Sequence, residues 1–236
     1  MSDAMSKSAM CVNSGEVASL QKDRASFYRM LASLFYRPLT QEEIDSMASS
    51  NLSSFESVEG VEGTLMGEGI HEINRSLKRK NTGTRQELAA DFTSVFGGIG
   101  TWNNQCAAPY KSVFTSEEGL LYQEGYREVF AEYKRHCVRL REGVDLPDDH
   151  LSFICEFMAL MADRAATAME SGKQDEAASL LFDSCSFLRE HILSWFPRLY
   201  ARANHIAETH FYRGVLKLAR GYFENDLKTL ECLLAE

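Results

Sequence analysis

Residues 151–165 read LSFICEFMALMADRA, and they decide the fold class. Leu151, Ile154, Met158, Met161 and Ala165 recur every three or four residues, the period at which side chains return to one side of an α-helix. Phe153, Phe157 and Leu160 widen that stripe until little of the circumference is polar. A helix apolar nearly all round is a buried one, so this segment is expected at the centre of the molecule. Pro147, just upstream, closes the preceding loop, because proline has no N–H to give a helix interior.

Working outward, the same period continues on both sides. Downstream, Leu181, Cys185, Leu188, Ile192 and Trp195 repeat it as far as Pro197. Phe211, Val215, Leu218 and Tyr222 then mark a further helix, with a short terminal one running to Glu236. Upstream, Leu20, Phe27, Leu31 and Leu34 line one side of a helix from about Val17 to Arg37-Pro38, since proline biases its predecessor away from helix. Thr40 with Glu43, and Thr84 with Glu87, have the spacing of capping boxes that open two more. A Gly-rich stretch over 60–69 precedes a helix from Ile70 to Lys80, and Leu88, Phe92, Val95 and Phe96 form the apolar side of the helix after Thr84. Residues 97–109 (GGIGTWNNQCAAP) then lose all periodicity and carry Trp102, the mark of a long functional loop. Helical pattern resumes from about Ser116 to His136, and a second loop covers 141–148. Each of the four prolines falls at a break in the pattern, and no alternating strand pattern occurs. The expected fold class is all-α: one globular domain of roughly ten helices over residues 16–236, after a polar, disordered stretch at 1–15.

Composition narrows the function. A chain of 236 residues with 44% hydrophobic and 25% charged residues can bury an ordinary globular core. Its net charge of −9 disfavours nucleic acid, whose phosphates need clustered Lys and Arg, and suits a basic partner. The start of the chain lacks the pattern of a secretory signal, and no apolar run is long enough for a bilayer, so a cytoplasmic location without membrane insertion is expected. The six cysteines form no C-x-x-C pair and read as free structural thiols.

Catalytic and cofactor chemistry finds little support. Gly97-Gly98-Ile99-Gly100 follows a helix and lacks the Lys-Ser/Thr of a phosphate loop. Glu68-Gly-Ile-His71 is a lone Glu-x-x-His, where a di-iron bundle needs two. No nucleophile elbow or zincin motif occurs, so neither a metal nor a cofactor is expected. His191, His205 and His210 read as surface or core-edge residues. His150 is different: it follows Asp148 and Asp149 at the opening of the central helix. Acids there satisfy orphan N–H groups and the positive end of the helix dipole. The Asp-His pair therefore reads as a helix cap, as part of a peptide site, or as an acid–base pair.

Three blocks in order carry a family resemblance: Ser26-Phe27-Tyr28-Arg29-Met30-Leu31-Ala32 closing in Phe35-Tyr36-Arg37-Pro38, then Pro109-Tyr110-Lys111-Ser112-Val113-Phe114, then Pro147-Asp148-Asp149-His150-Leu151. From about Val17 to the C-terminus the chain resembles the TorD/DmsD family of cytoplasmic chaperones for molybdenum-containing oxidoreductases. The resemblance implies a helical protein, not an enzyme, that binds the twin-arginine signal peptide of a cofactor-free client and delays export until molybdopterin is inserted. By position it assigns peptide binding to Asp149 and His150, beside Asp148, and to Pro109, Tyr110, Ser112 and Phe114, with Trp102 in the same loop. The family usually has an acid just before the proline of the third block; here that residue is Leu146, with Asp145 next to it.

A signal peptide joins a basic segment to an apolar one, so its receptor needs an acidic rim beside an aromatic groove. Glu142, Asp145, Asp148 and Asp149 supply acids from one loop, and Trp102, Tyr110 and Phe114 supply aromatics from the other. Two further readings stand beside the chaperone. One is a helical assembly protein that mainly oligomerises; the other is a nucleotide hydrolase, since guanine nucleotide binding has been proposed within the family. Monomer and homodimer are both compatible with the sequence.

Overall fold

A computed structural model describes residues 14–50, 63–98 and 106–235. Among them are ten α-helices: α1 (Ser14–Tyr36), α2 (Gln41–Ser49), α3 (Leu65–Lys78), α4 (Thr84–Phe96), α5 (Lys111–Thr115), α6 (Glu124–Arg135), α7 (Leu151–Glu170), α8 (Gln174–Leu188), α9 (Phe196–Ile206) and α10 (His210–Ala235). A π-helical turn, Arg189–Leu193, follows α8 directly. The only β pairing among the described residues is one isolated antiparallel bridge, Tyr110 to His150. No described helix is long and apolar enough to cross a membrane. The polar stretch at 1–13 lies outside the described residues, and α1 begins at Ser14.

α7 is the central helix its apolar circumference predicts. Leu151, Ile154, Met158, Met161 and Ala165 are all fully buried. α1 packs along it, with Tyr28, Leu31, Leu34 and Phe35 buried in the core, and Ser152 Oγ donates to the Ala32 carbonyl at 2.6 Å. α10 packs mainly on α3 and also on α8. A buried clasp ties α1 to α10: the Arg24 guanidinium bonds both carboxylate oxygens of Asp226 at 2.6 and 2.8 Å, and Tyr28 Oη donates to Asp226 at 2.7 Å.

Several element boundaries differ from the sequence expectation. The Thr40–Glu43 capping box forms in full at α2. At α4 it does not: Thr84 Oγ1 instead accepts the Asn81 N–H at 2.8 Å, and Gly83 precedes the helix without a side-chain cap. α3 begins within the Gly-rich stretch, because Thr64 caps it and Gly69 is where α10 crosses. A Cβ on Gly69 would sit 2.6 Å from the Gly214 carbonyl, so these glycines permit a close helix crossing rather than a loop. Of the helix expected from Ser116 to His136 only α6 forms: residues 116–123 are non-helical, Tyr122 there adopts a left-handed φ of 60°, and the short α5 lies upstream of the expected start. The two C-terminal helices expected are one, α10, whose polar middle is accepted because Asp226 turns inward onto Arg24. Pro197 lies in the first turn of α9, where its missing N–H costs nothing.

Candidate functional site

The loop blocks around Pro109 and Pro147 meet at the N-terminus of α7. Pro147 ends one loop, and its carbonyl accepts the His150 N–H at 3.1 Å in a tight turn. The chain then runs antiparallel to 109–111: Leu151 N–H donates to the Pro109 carbonyl at 2.8 Å, and Lys111 N–H donates to the Asp149 carbonyl at 3.1 Å. Tyr110 and His150, paired across this bridge, stack edge to face with ring centroids 4.9 Å apart.

Asp149 and His150 serve different helices. The Asp149 carboxylate accepts the Ser112 N–H at 2.7 Å, so it satisfies an orphan donor in the first turn of α5. His150 caps α7 through Nδ1, which accepts the Ser152 N–H at 3.2 Å and leaves its ring proton on Nε2. Burial pushes the His150 pKa down to about 4, keeping the imidazole neutral as that cap requires. Burial also raises the Asp149 carboxyl, against the Ser112 hydrogen bonds that lower it. Burial, then the nearby Asp149, pushes Tyr110 up to about 12. With the carboxylate turned to Ser112 and the imidazole to Ser152, the two do not form an acid–base couple.

The structure therefore brings Pro109, Tyr110, Ser112, Asp149 and His150 together and places them inside the protein. Asp149 and Ser112 have no exposed surface, and His150 keeps 4%. Phe114 is also buried, stacked on Trp195 at 5.8 Å with the Arg202 guanidinium 5.0 Å above its ring. Asp148 is half-buried, Glu142 and Asp145 are exposed, and Asp149 is buried. Trp102 lies outside the described residues.

This junction sets α6 beside α5. Gly125 makes the approach possible, since a Cβ there would lie 2.6 Å from Thr115 Oγ1 and 3.1 Å from the Ser112 nitrogen. On one side of α6 a cleft of about 830 Å³ is rimmed by Glu124, Glu128, Glu132 and Glu190, with Lys111 and His191 in its wall. Lys111 is only 3% exposed; its ammonium pairs with the Glu128 carboxylate and meets His191 Nδ1 at 2.7 Å. An ammonium has only donors to offer, so His191 accepts and is neutral. Burial, then the Lys111 charge, pushes the His191 pKa down to about 4. The π-helical turn carries His191 into this position, and Trp195 Nε1 donates to its carbonyl at 2.7 Å. His191 is thus a core residue on the cleft wall, whereas His205 and His210 are exposed.

The opposite flank of α6 is aromatic. Tyr122 and Tyr126 meet edge to face at 5.1 Å, Tyr126 and Phe130 stack at 5.9 Å, and Lys134 lies 4.7 Å over Phe130. Tyr122 is 56% exposed and Phe130 37%, with Leu120 half exposed beside them. Burial, then the neighbouring Asp148 carboxylate, raises the Tyr126 phenol, which places this ladder against the Asp148 end of the loop. Neither stripe was singled out from the sequence. The signal was present as two interleaved sets at a spacing of four: Glu124, Glu128, Glu132, and Tyr122, Tyr126, Phe130.

Comparison with known proteins gives a consistent result. A family model described as nitrate reductase delta subunit matches residues 63–201. Chaperone protein TorD of Vibrio vulnificus (strain YJ016) is 30% identical over 206 residues, covering 86% of this chain and 92% of the relative. Chaperone protein TorD of Vibrio cholerae (strain El Tor Inaba N16961) is 28% identical over 222 residues, covering 94% and 98%. That of Psychrobacter sp. (strain PRwf-1) is 26% identical over 225 residues, covering 93% and 96%. These relatives carry the name of a chaperone and not of an enzyme, and their likeness spans the helices that build the junction and both stripes of α6: the chain belongs to the TorD-type family of chaperones.

Proposed function

We propose that this chain is a cytoplasmic maturation chaperone that binds the twin-arginine signal peptide of a molybdopterin-containing oxidoreductase in its apo form and delays export until the cofactor is inserted. The observation that carries this reading is a carboxylate row and an aromatic ladder on the two flanks of one helix, α6, offset by two residues and so about 160° apart, where a segment laid across the helix meets both. A leader of this type presents arginines followed by an apolar stretch. Guanidinium groups bond carboxylates in bidentate pairs, and an apolar segment gains by covering exposed rings. The existing partners of the row leave room for exchange. Glu124 pairs with Arg127, and Glu132 with Arg135, in exposed i,i+3 bridges worth little each.

In this reading Asp149, His150, Pro109, Ser112 and Phe114 hold α5 and α7 in register behind the site. Tyr110 and Asp148 stand where the ladder meets the loop. The test is isothermal titration with a synthetic twin-arginine leader, in parallel with Glu124→Gln/Glu128→Gln, Tyr122→Ser/Phe130→Ser and Asp149→Ala/His150→Ala. Saturable binding is expected, weakened roughly tenfold or more by either surface pair while helical circular dichroism is retained. The Asp149/His150 pair is expected to lose binding together with stability. Failure to bind several leaders, or equal binding by both surface variants, rejects the site.

A further inference from the structure

The opposite side of the 111–116 segment carries a second cleft of reversed charge. It measures about 510 Å³ and is lined by Phe114, Ser116 and Glu117 together with Arg198, Arg202 and His205 of α9. Ser116 lines both clefts, so the acidic and basic sites are neighbours. Acids outnumber bases in this chain by 34 to 25. Even so, neither Arg198 nor Arg202 has an ion pair among the described residues. Glu117, although it lines the same cleft, bridges neither of them. Arg202 lies over the Phe114 ring, and its Nη1 is shielded from solvent without an acceptor. A guanidinium nitrogen left in that state is costly, and an incoming oxyanion relieves the cost.

We infer that this cleft binds an acidic peptide segment with carboxylates at alternate positions, a partner distinct from a basic leader. Spacing favours a peptide over a single small anion. Arg198 and Arg202 are four residues apart on one helix, a rise of roughly 6 Å. In an extended chain, side chains two residues apart are separated by about 6.6 Å and point the same way. Two carboxylates of an Asp/Glu-x-Asp/Glu segment therefore match the two guanidinium groups, with exposed His205 continuing the row by one turn. The inference stands on α9 and does not require the leader site to be correct.

Fluorescence anisotropy of a labelled peptide with aspartate at every second residue tests it on the full-length chain. Saturable binding is expected, weaker at higher salt, and reduced roughly tenfold or more by Arg198→Gln/Arg202→Gln. Because Arg202 covers Phe114, Arg198→Glu is measured alongside as a variant of an exposed residue that leaves that packing intact. It is expected to abolish binding without lowering Tm. Leader titration is expected to be unchanged in Arg198→Glu, which separates failure of this site from failure of the acidic one. Absence of peptide binding, or binding indifferent to both variants, overturns the inference. So does retention of inorganic pyrophosphate without the peptide, which would give the cleft to small oxyanions.

Discussion

Two cations are buried almost equally in this protein and are paired very differently. Arg24 is 4% exposed and its carboxylate, on Asp226, is 2% exposed; Lys111 is 3% exposed but its carboxylate, on Glu128, is 46% exposed. The Arg24 centre is closed: Gln21 accepts one guanidinium hydrogen bond, Asp226 accepts two, and Tyr28 donates to the same carboxylate. The Lys111 centre is closed on the His191 side and open to the acidic cleft on the other. A buried pair sealed on all sides can only hold helices together. One whose anion reaches water can exchange that anion's partner, so only the second is suited to recognition.

Breaking the closed centre gives the largest expected effect. The Asp226 hydrogen bonds and charge raise the Arg24 pKa despite its burial, so in Asp226→Ala the guanidinium stays charged with no anion in reach. Loss of one member of a buried pair costs about 3–5 kcal/mol, and a chain of this size then loses roughly 10 °C in Tm. Urea unfolding of the variant checks this. A loss under about 1 kcal/mol would put the clasp on a par with a surface bridge and erase the contrast.

Acid sharpens the same comparison with a somewhat smaller effect. His150 and His191 are both held near 4 in the folded protein, against about 6.5 when unfolded. Below pH 6.5 the unfolded chain binds more protons, so the stability owed to two neutral histidines is complete above that pH and is lost as pH falls toward 4. Asp149 and Glu156, raised by burial, run the other way and offset part of the loss. The net decline from pH 7 to 5 is expected to reach roughly 2–3 kcal/mol by urea titration. His150→Asn, which keeps a capping side chain, is expected to flatten the slope. An unchanged slope in that variant and in His191→Gln would assign the acid sensitivity elsewhere.

The closed centre and the open one also differ in how far the sequence reveals them. The all-α class, the central helix at 151–165 and the Thr40–Glu43 cap were legible because they rest on local period and local hydrogen bonds. The continuity of α10 was not, because its polar middle is satisfied by Arg24, some 202 positions away. Nor was the start of α3, where Gly69 looks like a helix breaker until Gly214 is seen opposite it. Around the candidate site, the family resemblance named Tyr110 and His150 by position, but their meeting was a hypothesis that no local pattern could show. Burial of those residues was not legible, since an Asp-His pair reads as exposed chemistry until Ser112 and Ser152 appear as its partners. The stripes of α6 were within reach of a search at a spacing of four. They were obscured because Gly119 and Tyr122 interrupt the pattern just before the helix starts.

The smallest stability effect is expected at the open centre, in Glu128→Gln. The amide keeps an oxygen for Lys111 to donate to, and the lost charge was nearly half in solvent. The expected cost is therefore no more than about 1 kcal/mol. Leader affinity should fall in the same variant, because the carboxylate row loses its middle member. That combination of near-native unfolding and weakened titration is what an exchangeable pair produces and a structural one cannot. If Glu128→Gln instead destabilises the protein as much as Asp226→Ala, Lys111 and Glu128 form a second clasp. The acidic cleft then has no free carboxylate at its centre, and arginine recognition would have to rest on Glu124, Glu132 and Glu190 at its rim.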